Sequence, residues 1–165
     1  MKTTILGASI AALLATPLFA SENQHEEHGE NHDDSHAEMM QVGQPGKSSD
    51  IGRTVKVSMK ETDDGDMIFE PSNLSFKKGQ TIEFDIKNLG ELEHEFILDT
   101  AERNKIHKDV MVNGSQRHVS ENAVSLEPGE QSKLIWTFSN DGSFEFACLI
   151  PGHYESGMFG NVTVQ

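Results

Sequence analysis

From residue 51 onward, apolar and polar residues alternate in short runs. "RTVKVSMK" places Val55, Val57 and Met59 on one face, with Lys and Ser opposite, and "QTIEFDIKN" does the same with Ile82, Phe84 and Ile86. "EHEFILD" presents His94, Phe96 and Leu98, and "SKLIWTF" presents Leu134, Trp136 and Phe138. "SFEFAC" adds Phe144, Phe146 and Cys148, and "NVTV" closes with Val162 and Val164. Side chains alternate between the two faces of a strand, so a period of two over such short runs signals half-buried strands. The joints "KKGQ", "EPGE" and "NDGS" carry the Gly, Pro, Asn and Asp that turns require. Residues 51–165 number 115, which suits one hydrophobic core. The pattern predicts an all-β fold, a two-sheet antiparallel Greek-key β-sandwich of seven or eight strands.

One segment breaks the alternation. In "DTAERNKIHKDVMVNGSQRH", residues 99–118, Ile106 and Val110, and likewise His107 and Met111, lie four apart. This spacing predicts a short helix in an insertion between strands, ending near "NGS" and able to cover a neighbouring site.

The N-terminal part has a different character. "MKTTILGASIAALLATPLFA" has one Lys, an apolar run from about Ile5 to Leu14 and a small residue at Ala20, so residues 1–20 read as a cleaved signal peptide. No later run is apolar for long enough to span a bilayer, so the expected product is exported and soluble, with no membrane span. Residues 21–50 lack aromatic residues, have almost no apolar content and end in Pro, Gly and Ser. They read as a disordered His- and acid-rich tail and linker, because they bury too little surface to offset the ordering of their backbone. Within them His25, His28, His32 and His36 recur among carboxylates, followed by Met39 and Met40. Imidazole and carboxylate suit divalent copper, nickel or zinc, and thioether suits Cu(I), so the tail is a candidate metal-capture tract. A solvating acidic tail is the plainer alternative.

The formal net charge is −14, with about half of the excess acid in the tail. A nucleic-acid partner is excluded, since binding phosphates requires a basic face. Cations and basic proteins are favoured instead.

Export raises the question of Cys148, the single cysteine. Disulfides use cysteines in pairs, so a lone one is a buried bystander, an intermolecular linker or a metal ligand. Five residues on stands His153, and five further on Met158, with "LIPG" and "YESG" turning the chain between them. Thiolate, imidazole and thioether on one loop are three ligands of a mononuclear copper site, and His94, facing the way of its apolar strand neighbours, is the candidate fourth. Zinc accepts Cys and His but has little use for Met. A Cys–His nucleophile pair lacks an evident orienting acid or amide at the loop and leaves the thioether unexplained.

"FACLIPGHYESGMFGNVTV" together with "NLGELEHEFILD" resembles the cupredoxins, with equal Cys–His and His–Met spacings more like rusticyanin and auracyanin than plastocyanin. The whole mature chain is similar to the periplasmic copper-tolerance cupredoxins of the CopI type. They too join a signal peptide, a His-rich tail, a "HEF" strand, a helical insertion, an "NAVSLEPGE"-like segment and "FACLIPGHYESGM". The resemblance implies a cupredoxin domain over residues 51–165, a periplasmic location, and His94, Cys148, His153 and Met158 as ligands of one copper cycling between Cu(I) and Cu(II). The insertion departs from that family: it carries Met111 with His107 and His118, fewer soft ligands than expected, as a candidate second copper group.

Two functions fit such a site. One is copper tolerance or homeostasis, by binding copper, cycling its oxidation state and passing it to a periplasmic transport or redox protein. The alternative is a small soluble electron carrier shuttling between redox partners. The His-rich tail favours the first, since a carrier has no use for extra ligands. A multicopper oxidase or nitrite reductase is excluded by the single copper domain and the lack of His-x-His pairs. The reading is a copper protein rather than an enzyme, with oxidation of copper itself the one catalytic role left open.

Overall fold

A computed structural model describes residues 41–112 and 120–165. The signal peptide, the tail histidines His25, His28, His32 and His36, and His118 of the insertion lie outside the described residues. The strands are β1 (Gln44–Pro45), β2 (Arg53–Glu61), β3 (Met67–Glu70), β4 (Asn73–Phe76) and β5 (Thr81–Asn88). They continue with β6 (His94–Asp99), β7 (Ala123–Leu126), β8 (Gln131–Thr137), β9 (Gly142–Ala147) and β10 (Phe159–Val164). One helix, α1 (Ala101–Val112), lies between β6 and β7. No helix among the described residues is long and apolar enough to cross a membrane.

The strands form two five-stranded sheets, ordered β1-β8-β5-β2-β3 and β4-β10-β9-β6-β7. The two-sheet sandwich is as the alternation predicts, but two details differ. Ten strands are present among the described residues, the extra ones being short edge pieces with too few residues to show a period. The sheets are mixed rather than antiparallel: β2 pairs parallel with β5, and β4 with β10. The chain crosses into the second sheet as β4 and returns beside β2 as β5, and alternation is blind to the direction of a neighbour.

Apolar faces that the pattern predicts do meet inside. Val55, Val57, Met59, Ile82, Phe84, Ile86, Phe96, Leu98, Trp136, Phe138, Phe146 and Val162 are all buried in one cluster. Phe96 stacks on Phe146 at 5.1 Å between centroids, and Phe69 meets both edge-on at 5.9 and 5.1 Å. Such pairs add about 0.5–1.5 kcal/mol each beyond the area they bury.

The packed unit also begins earlier than residue 51. Val42 is 1% exposed, its carbonyl accepts the Trp136 indole N–H at 3.2 Å, and Gln44–Pro45 pairs with β8. One apolar residue in a polar stretch does not alter its composition, so the linker reading missed this anchor.

Strand β6 is buried on both faces, where alternation predicts half-burial. Its outward residues Glu95, Ile97 and Asp99 are buried as well, Ile97 in a small cluster with Ala147 and Leu149. Thr100 Oγ1 accepts the Arg103 N–H at 3.2 Å as an N-cap, which starts α1 against this face. The helix anchors through a polar residue: buried Asn104 donates to Glu145 Oε1 on β9 at 3.0 Å. Ile106, Val110 and Val112 are exposed, so the helical spacing marks an outward face.

Candidate metal centre

The loop between β9 and β10 carries the predicted ligands. Cys148 follows the last residue of β9, and its N–H donates to the Met158 carbonyl at 3.0 Å, extending the β9–β10 ladder by one step. The loop closes on itself: His153 N–H donates to the Ile150 carbonyl at 3.0 Å, and Met158 N–H to the His153 carbonyl at 3.1 Å. Gly152 and Gly157 take φ of +91° and +94°, a region open to glycine at little cost, and so make the two turns that "LIPG" and "YESG" predict. The path brings His153 back over Cys148, with Nδ1 3.4 Å from Sγ.

His94 enters from β6 in the same sheet. Its Nδ1 lies 3.2 Å from His153 Nδ1, and the ligand atoms of His94, Cys148 and His153 all fall within 4.8 Å of one another. Two nitrogens about 2.0 Å from one metal at trigonal to tetrahedral angles lie about 3.3 Å apart, so the cluster fits a shared ion. Cys148 Sγ accepts the Glu95 N–H at 3.3 Å, a bond that stabilises negative charge on sulfur. Met158 is fully buried on the same loop, its backbone bonded to both Cys148 and His153.

Burial pushes the Cys148 thiol up to about 12, against the pull of backbone N–H groups from Glu95 and Ile150. Burial holds both imidazoles below their ordinary value; Glu61 partly offsets this at His94, and His94 adds to it at His153. Both rings are therefore neutral donors at neutral pH, the form in which imidazole binds metals.

Sequence reasoning missed one neighbour. Glu61, at the end of β2, places Oε1 2.8 Å from His94 Nε2. The two residues are 33 apart in sequence and on different sheets, so no local spacing signals the pair. Of the candidate second group only His107 and Met111 are among the described residues. Both are half-buried and lie four apart on α1. The helix does touch the ligand loop: Lys108 pairs with Glu155 at 2.6 Å and lies over the Tyr154 ring at 4.8 Å.

A two-sheet sandwich with a buried His–Cys–His cluster, its Cys and one His on the loop between two paired strands, defines a cupredoxin. Residues 55–165 match the copper binding proteins of the plastocyanin/azurin family, and the chain belongs to that family. Copper is accordingly its metal. Over its whole length it is 37% identical to the copper-resistant cuproprotein CopI of Rubrivivax gelatinosus, itself covered in full. It is 33% identical to CopI of Pseudomonas aeruginosa, over 74% of this chain and 82% of that one. The fold is also that of reduced auracyanin from Roseiflexus castenholzii, with a TM-score of 0.59, 20% identity, and coverage of 70% of this chain and 98% of that one.

Proposed function

We propose that the protein is exported to the periplasm and acts in copper tolerance, and that His94, Cys148 and His153, with Met158 as a weaker fourth ligand, would hold one copper. The convergence of two imidazole Nδ1 atoms and one thiol in a buried pocket is the observation that carries the ligand assignment. Similarity to two CopI proteins, to one of them over the whole chain, supports the task. Bound copper would supply one-electron chemistry between Cu(I) and Cu(II).

The chain's own contribution is to hold the donors in place and keep water from them. Cys148 and His94 are fully buried and His153 nearly so. Three of the four are fixed by bonds that do not involve the metal: Sγ by the Glu95 N–H, His94 by Glu61, and the His153 backbone by the two turns of its loop. Ligands held this firmly move little when the ion changes charge, which suits both storage and redox cycling. No catalytic role is assigned. The tail histidines, in this reading, raise local copper capture through loose ligands and acidic charge.

A second reading, a small soluble electron carrier shuttling between redox partners, is favoured by one surface feature. Phe159 is 39% exposed and stacks on Tyr154 at 5.0 Å, forming an aromatic patch beside the ligand loop. Growth separates the two. A deletion strain should grow poorly in elevated copper and normally otherwise, and a Cys148→Ser gene should fail to rescue it. Normal growth in high copper with a respiratory defect in low copper would favour the carrier.

A further inference from the structure

Glu61 sits in a cradle built for a carboxylate. Its Oε2 accepts the Glu91 N–H at 2.9 Å, and its Oε1 accepts the Leu92 N–H at 3.1 Å as well as facing His94 Nε2 at 2.8 Å. Gly90 makes the approach possible: a Cβ there would stand 2.4 Å from Oε2 and 2.8 Å from Cδ. The loop is braced from the other side by buried Asn88, whose amide donates to the carbonyls of Leu92 at 2.7 Å and Leu126 at 2.9 Å. Asn88 Oδ1 in turn accepts the Gly90 N–H at 2.9 Å. With backbone donors on both oxygens, Glu61 has acceptor capacity alone to offer the ring, so the His94 proton resides on Nε2 and Nδ1 is left as a lone pair.

We propose that Glu61 is a positioning residue for the copper centre, fixing the His94 tautomer and ring orientation and biasing the bound metal toward Cu(II). The inference rests on His94 being a copper ligand. A carboxylate on the far side of an imidazole raises its basicity, and outer partners of this kind contribute about 10- to 100-fold to metal affinity. The added negative charge favours the more highly charged ion. Removing it should therefore weaken Cu(II) binding more than Cu(I) binding, and so raise the reduction potential.

The test compares wild type with Glu61→Gln, which retains a carbonyl oxygen for the His94 N–H but no charge, and with Glu61→Ala. The copper-loaded proteins are titrated for potential, and Cu(I) affinity is read by competition with a chromophoric chelator. The His94 ring nitrogens are followed by NMR in the metal-free full chain. For Glu61→Gln, the Cu(II)/Cu(I) affinity ratio should fall about tenfold, a rise of about 59 mV for a one-electron couple. The visible band should be retained, and the Nε2–H signal should shift while Nε2 stays protonated. In Glu61→Ala the same proton should exchange faster and the tautomers mix. Unchanged potential and unchanged ring shifts in the Gln variant overturn the inference, even if stability drops, since a purely structural brace would alter folding alone. A His94→Ala protein with the wild-type visible band would instead sink the ligand assignment, and this inference with it.

Discussion

Copper uptake at this site should release one proton, and that proton should come from Cys148. Its thiol is raised from an ordinary 9.0 to about 12 by burial. Three units at about 1.36 kcal/mol each make the bare thiolate costlier here than in the unfolded chain by about 4 kcal/mol. Near pH 7.5 almost none of the molecules would hold the thiolate, so copper must displace the proton. His94 and His153 add little at that pH, because burial holds both below the ordinary imidazole value. The logarithm of copper affinity should therefore rise with pH at a slope of about one, steepening only where the imidazoles protonate. Calorimetric Cu(II) titrations in two buffers of different ionisation enthalpy measure the protons released. Subtracting a Cys148→Ser titration removes the contribution of the tail histidines. A difference near zero protons at about pH 7.5 would refute the reasoning, since the thiol would then already be ionised in the fold. The same shift bears on stability. A group whose pKa is raised on folding stabilises the fold below its unfolded value and loses that effect as pH rises through the folded value. The metal-free protein should accordingly lose up to about 4 kcal/mol between about pH 9 and pH 12, and Cys148→Ser should not show this alkaline loss.

Other expectations follow from the same geometry. Cys148→Ser should abolish the thiolate-to-copper visible band while circular dichroism still shows a folded sandwich, whereas Met158→Gln should keep the band and shift the potential. Gly160→Ala should destabilise by about 1–3 kcal/mol in thermal or urea unfolding, because its Cβ would stand 2.3 Å from Phe146 Cζ and 2.6 Å from the Ser72 carbonyl oxygen. Deleting residues 21–40, which spares Val42 and β1, should reduce the number of weakly bound copper ions in a calorimetric titration and leave the coloured centre unchanged. Equal stoichiometry would leave the tail histidines without a metal role.

The sequence by itself carried the ligand loop and the core. Cys148, His153 and Met158 lie within eleven residues, and the turns between them are made by residues whose conformational preference is local. Alternation likewise assigned Val57, Phe84, Phe96 and Trp136 to the interior, since facing in a strand is a period-two property of neighbours in the chain. His94 was legible for the same reason, as a polar residue on an apolar face.

What the sequence left undecided depended on residues distant along the chain. The parallel pairings of β2 with β5 and β4 with β10 arise from crossovers between sheets, which no single strand records. Val42 anchors to Trp136 across 94 residues, and Asn104 holds α1 to Glu145, 41 residues away. Glu61 reaches His94 only once the end of β2 in the first sheet meets the start of β6 in the second. Local spacing encodes which donors share a loop and a face. The protonation, orientation and shielding of those donors depend on burial and on partners that meet only when the two sheets pack.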